Sequence, residues 1–113
     1  MEGSVEISGI QYHLKASAGT VMRYRNLFAG DLLTDMSKIG IEAFKKDGQI
    51  DPDVVAVAER VAYIMCRDAD PGITASLEEW LEDKEPKFIY KILPTVIRTW
   101  RGNSVAVEEP KKK

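Results

Sequence analysis

Residues 54–66 constrain the fold of this chain more than any other segment, because only Glu59 and Arg60 among them are charged. The segment has the apolar spacing of an α-helix, and its apolar side chains cover more than half of the helix circumference. These side chains are Val54, Val57, Ala58, Val61, Ile64 and Met65. A helix with so wide an apolar surface must be surrounded by other elements, so we expect it in the middle of the domain.

Clear signals mark both ends of this central helix. Asp51 can cap its N-terminus, and Pro52 suits the first helical position. Ile50 can pack against Val55 as a hydrophobic staple. The sequence Asp70-Pro71-Gly72 breaks the chain beyond the helix. The sequence therefore predicts a helix between these two points.

The N-terminal residues alternate between apolar and polar on either side of Ser8-Gly9, a pair that suits a two-residue turn. The apolar positions are Val5, Ile7, Ile10, Tyr12 and Leu14. We predict a short β-hairpin here. An isolated hairpin is only marginally stable, so its apolar face must rest on the helices that follow.

Two helices are predicted between the hairpin and the central helix. The first covers residues 20–29, with Thr20 as its N-cap and Gly30 at its end. Asp31 can cap the second helix, which should end near Lys46. The apolar stripes are Val21, Tyr24 and Phe28 in the first helix, and Leu32, Met36, Ile39 and Ala43 in the second.

Two further helices are predicted after the central one. Ser76 and Glu79 form a capping box at the start of a short fourth helix. Residues 88–100 carry a continuous helical stripe, but Pro94 inside it removes a hydrogen bond, so we expect a kink or two abutting helices. The stripe consists of Ile89, Ile92, Leu93, Val96, Ile97 and Trp100.

These elements define a mainly α (α+β) fold, in which a short N-terminal β-hairpin is followed by a compact bundle of about five helices. A chain of 113 residues is long enough for one hydrophobic core, so residues 1–102 are expected to form a single domain. Residues 103–113 are polar, have no apolar stripe and end in Lys111-Lys112-Lys113. We predict a flexible, basic-ended tail there.

Composition excludes several classes of function. With 44% hydrophobic and 30% charged residues, the chain is expected to be a soluble globular protein. Its net charge of -2 offers no basic footprint for a nucleic acid. No apolar run is long enough to span a membrane, and residues 1–8 do not resemble a secretory signal, which indicates a cytoplasmic protein.

The chain is poor in side chains that carry catalysis. His13 and Cys66 are its only histidine and cysteine, whereas acid-base, nucleophilic and zinc chemistry all draw on these residue types. We expect His13 to be solvated on a strand and Cys66 to be a buried, reduced thiol. We therefore predict no enzymatic activity, no cofactor and no metal site.

Binding to another protein is the remaining class of function. Arg23 and Arg25 point away from the first helix's apolar stripe, and Phe88 and Tyr90 lie off the stripe of the last helix. We predict that these four residues contact a partner. The acidic residues of the fourth helix form either a solvated face or a contact for a basic partner. They are Glu78, Glu79, Glu82, Asp83 and Glu85.

Several segments resemble one family in their order and spacing. They are Met22-Arg23-Tyr24-Arg25-Asn26 with Phe28, Asp31 and Leu32, then Ala69-Asp70-Pro71, Glu78-Glu79-Trp80-Leu81, Ile89-Tyr90, Leu93-Pro94 and Trp100. Together they resemble the tail assembly chaperones of long-tailed phages and prophages, especially those of Gram-positive hosts. The similarity runs from the hairpin to the final helix.

The resemblance implies a helper in the host bacterial cytoplasm that binds the tape measure protein. Such a helper keeps that protein soluble, releases it as tail tube subunits polymerise, and is absent from the mature virion. A helix of the partner would dock in a cleft between helices, with rim charges setting its orientation. The alternative is a structural virion component, such as a head-tail completion or minor tail protein.

The sequence does not decide whether the chain has further partners. The resemblance also admits contacts with the major tail tube protein, with a second copy of the chain, and with a longer form of itself made by ribosomal frameshifting. The codons of Lys111-Lys112-Lys113 could supply a slippery run for such frameshifting. The same lysines could equally be a solubilising tail.

Overall fold

The computed structural model describes the backbone of residues 1–43 and 51–108 and the side chains of residues 1–40 and 51–102. In this part of the chain, an antiparallel hairpin precedes five helices, which confirms the predicted fold class. The elements are β1 (Glu2–Ile7), β2 (Ile10–Lys15), α1 (Ala18–Phe28), α2 (Leu32–Ala43), α3 (Pro52–Ala69), α4 (Leu77–Glu82) and α5 (Phe88–Glu108).

The hairpin turns at the predicted pair of residues. Ile7 and Ile10 face each other across the turn, and Ser8 and Gly9 both have positive φ angles, of 52° and 83°. Two left-handed residues are what a type I′ turn requires, and glycine adopts the second without a steric penalty. The predicted apolar face is buried at Ile7 and Leu14, whereas Ile10 at the turn is exposed.

The helix α3 lies in the middle of the molecule, as its wide apolar surface predicts. It packs against β2 and against α1, α2, α4 and α5. The predicted N-terminal signals are confirmed: Asp51 accepts a hydrogen bond from the Asp53 amide at 2.8 Å, and Pro52 occupies the first turn. The predicted staple from Ile50 and the predicted end of α2 near Lys46 lie outside the described residues.

The predicted ends of α1 are both wrong. Its N-cap is Ser17, not Thr20: the Ser17 hydroxyl accepts the Thr20 amide at 3.3 Å, and the Thr20 hydroxyl accepts the Ser17 amide at 3.0 Å. The left-handed residue at the other end is Ala29, with a φ of 57°, not Gly30. Gly30 instead leaves room for the ring of Tyr24, which lies 3.3 Å from where a Cβ would stand.

The last helix is continuous through Pro94, so the alternative of two abutting helices is wrong. Pro94 lies on the exposed side, while Ile92 and Val96 are fully buried on the other. The helix continues to Glu108, beyond the predicted domain boundary after Gly102. Residues 109–113 lie outside the part of the chain that the structure describes.

Aromatic side chains connect the elements through edge-to-face contacts. The order of contact is Tyr24, Phe28, Tyr63, Trp80, Phe88 and Tyr12, with ring centroids 5.2 to 6.3 Å apart. The series passes from α1 through α3 and α4 to α5 and β2. Offset and edge-to-face pairs stabilise a core beyond the area they bury. This series therefore fixes the relative positions of α1, α3 and α4.

Candidate protein-binding groove

A groove of about 530 Å³ lies where α1, α3 and α4 meet. Most of its lining is apolar, and two glutamates border it. From α1 come Leu27 and Phe28, from α3 Glu59 and Tyr63, and from α4 and its N-cap Ser76, Leu77, Glu78 and Leu81. An apolar concavity with a few polar groups is the usual form of a binding site.

Hydrogen bonds hold the α4 side of the groove in place. The Tyr63 hydroxyl donates to the carbonyl of Ala75 at 2.5 Å, which ties the chain before α4 to the central helix. The capping box predicted for α4 is confirmed: the Glu79 amide donates to the Ser76 hydroxyl at 3.2 Å, and the Ser76 amide donates to the Glu79 carboxylate at 3.0 Å. These hydrogen bonds position the start of α4 against α3 on this side of the groove.

Leu27 is the most accessible apolar side chain of the groove, because 49% of its surface is exposed. Its neighbour Phe28 is partly buried against the rings of Tyr24 and Tyr63. A single exposed leucine is ordinary on a protein surface. Leu27, however, shares its groove with the partly buried Leu77 and Leu81, so the three leucines form one apolar surface.

The charged side chains that line the groove are both acidic, while the guanidinium of Arg60 lies over the Phe28 ring, 6.0 Å from its centroid. Glu59 and Glu78 line the groove, and neither carboxylate has a hydrogen-bond or ion-pair partner among the described residues. A second cavity of about 230 Å³ shares Leu27 with the groove and is lined by Arg23, Asn26, Ile64 and Arg67. The sign of charge therefore changes from one side of Leu27 to the other.

The predicted contact residue Arg23 is engaged within the chain. Its guanidinium donates two hydrogen bonds to the carboxylate of Asp68, at 2.8 and 2.9 Å. The Asp68 side chain is only 5% exposed and also accepts the Thr20 hydroxyl at 2.6 Å. These hydrogen bonds and the charge of Asp68 raise the pKa of Arg23. Arg25, the second predicted residue of α1, is exposed.

The prediction that Phe88 faces a partner is wrong. Phe88 is 2% exposed and packs between the rings of Tyr12 and Trp80. Phe88 lies four residues before Ile92 and eight before Val96, so helical spacing itself places it beside the buried stripe of α5. Its ring packs there against α4 and the hairpin. Tyr90 is 51% exposed on α5, so its contact with a partner stays a prediction.

The structure does not bring the four predicted contact residues together. Only Arg23 borders the groove or the cavity beside it. Leu77 and Leu81 were not among the predicted contact residues, and both also pack against the core. Leu27 carried a usable signal, since it is a large apolar residue off the stripe of Tyr24 and Phe28.

The side chains with catalytic potential lie apart from the groove. His13 is exposed on β2, and Cys66 is buried in α3, both as predicted. Burial raises the pKa of the Cys66 thiol to about 12, so the thiol is protonated at neutral pH. Within residues 1–43 and 51–108, no three His, Cys, Asp or Glu side chains are placed to hold a metal ion, and no helix has the length and apolarity to cross a membrane.

Comparisons with known proteins give no family for the chain. No family model matches it, and no curated protein and no solved structure matches it either. The resemblance to tail assembly chaperones therefore rests on the sequence segments named above.

Proposed function

We propose that this chain is a phage tail assembly chaperone that binds the tape measure protein in the groove between α1, α3 and α4. The observation that carries the proposal is the apolar surface formed there by Leu27, Leu77 and Leu81. The sequence resemblance supplies the identity of the partner. On this proposal the chain acts by binding alone, in the host bacterial cytoplasm, and is absent from the mature virion.

The groove suits the docking of an amphipathic helix. Apolar side chains spaced three, four and seven residues apart lie on one face of a helix and can enter an apolar groove together. Covering such a face removes it from water and from other copies of the same polypeptide. The chain would in this way keep a long, apolar-patched partner soluble until the tail tube subunits replace it.

Co-expression with the tape measure protein tests this function. We expect that protein to be soluble and to co-purify with the chain, and to be insoluble alone. Leu27→Asp places a charge in the groove and should abolish co-purification. Leu33→Asp is the matched control, because Leu33 is 57% exposed and lines neither the groove nor the cavity beside it.

Equal loss of binding in both variants, or in neither, would contradict the groove as the binding site. A tape measure protein that is equally soluble without the chain would contradict the chaperone function itself. Mass spectrometry of purified phage particles distinguishes the chaperone from the alternative of a structural virion component. A structural component would be found in the particles, and a chaperone would not.

A further inference from the structure

The two carboxylates of the groove come from different helices. Glu59 lies one turn before Tyr63 on α3, and Glu78 lies in the first turn of α4. Both line the apolar groove, and neither is paired with another described residue. A ligand that fills the groove therefore meets a negative charge from each of these helices.

Several other carboxylates have partners within the described part of the chain. Asp68 holds Arg23, and Asp83 holds Lys84 at 2.9 Å. Glu85 accepts hydrogen bonds from Ser8 and from Lys91. Their charges are therefore compensated within the fold, whereas those of Glu59 and Glu78 are available to a ligand.

The cavity beside the groove limits where positive charge can be placed on a ligand. Arg67 is exposed there, and its guanidinium donates to the Tyr63 hydroxyl at 3.3 Å, with no carboxylate partner among the described residues. A cation of the ligand would be repelled near Arg67 and attracted near Glu59 and Glu78. The charges thus favour one orientation of a docked helix.

We propose that the segment bound in the groove is an amphipathic α-helix whose apolar ridge is flanked by lysine or arginine residues that face Glu59 and Glu78. The inference rests on the proposed function, because the tape measure protein would supply this segment. It goes further in assigning the charge of the segment. An apolar helix with acidic flanks should be rejected by the same groove.

Synthetic peptides test the proposal without the tape measure protein. The probe is a stapled helix with leucines at i, i+4 and i+7 and with lysines on both flanks, and the matched peptide carries glutamates in place of the lysines. We expect the lysine peptide to bind the full chain at least about tenfold more tightly than the glutamate peptide, with a preference that shrinks at high salt.

Variants of the chain test whether Glu59 and Glu78 cause the preference for the lysine peptide. Combining Glu59→Lys with Glu78→Lys should reverse it, so that the glutamate peptide binds more tightly. Glu6→Lys is the control for overall charge, since Glu6 is exposed on β1 and borders neither the groove nor the adjacent cavity. It should leave the preference within about threefold of the original value.

Equal binding of the two peptides to the unaltered chain would overturn the proposal, whatever the folding of the variants. An unchanged preference in the double variant would also overturn it. So would a concentration-dependent dimer of the chain that Leu27→Asp dissociates, because the groove would then hold a second copy. If the lysine peptide binds as expected but the tape measure protein does not bind, the proposed function fails and the inference about the groove stands.

Discussion

At the scale of single residues, Tyr24 shows how the core accommodates a polar group. Its side chain is fully buried, and its hydroxyl donates to the Asp35 carboxylate at 2.6 Å. Burial, together with the hydrogen bond to Asp35, raises the pKa of Tyr24 from 10.0 to about 12. The folded protein therefore holds this proton more tightly than the unfolded chain does.

This difference predicts how stability depends on alkaline pH. Between pH 10.0 and about 12 the unfolded chain loses the Tyr24 proton first, so the free energy of unfolding falls as pH rises. Tyr24→Phe removes this contribution. We expect the unaltered protein to lose roughly 2 kcal/mol more than the variant between pH 9 and pH 11.5. Urea unfolding at the two pH values measures the loss, and parallel losses would contradict the prediction.

At the scale of elements, β1 and α5 pack closely together at Gly3 and Thr99. A Cβ added at Gly3 would overlap Thr99 Oγ1, while it would lie at an ordinary 3.5 Å from Thr99 Cβ. Thr99 Oγ1 is also buried without a hydrogen-bond partner among the described residues. The close approach of this hydroxyl group therefore favours glycine at position 3.

A double-mutant cycle tests the coupling between positions 3 and 99. Gly3→Ala should lower the free energy of unfolding by about 2 kcal/mol, because the added methyl group overpacks the contact. In a Thr99→Ala background the same change should cost less than about 1 kcal/mol, since the overlapping oxygen is gone. Thermal or urea unfolding of the four proteins measures this coupling, and an equal cost in both backgrounds would contradict it.

Element boundaries show where local sequence signals compete. Ser17 and Thr20 both carry hydroxyls that cap helices well, and only the fold shows that Ser17 is the cap while Thr20 binds Asp68. The contact of Thr20 with Asp68 therefore distinguishes two residues that are locally similar. At the other end, Ala29 adopts the left-handed position although glycine does so at lower steric cost, and Gly30 lies against the Tyr24 ring.

At the scale of the whole molecule, the sequence predicted more of the core than of the groove. The wide apolar surface of α3 requires neighbours on most sides, so its central position follows from the sequence alone. The groove depends on how α1, α3 and α4 are placed relative to one another, and no periodicity within one helix encodes that placement. Phe88 was misplaced for a different reason, since its spacing of four residues from Ile92 within α5 already indicates the buried side.

The proposed function requires that the groove at Leu27 holds the tape measure protein. Photo-crosslinking checks this with a benzophenone side chain introduced at position 27 and, in a separate protein, at position 33, where Leu33 is similarly exposed. We predict crosslinks to the tape measure protein from position 27 and none from position 33. Crosslinks from position 33 with none from position 27 would contradict the claim.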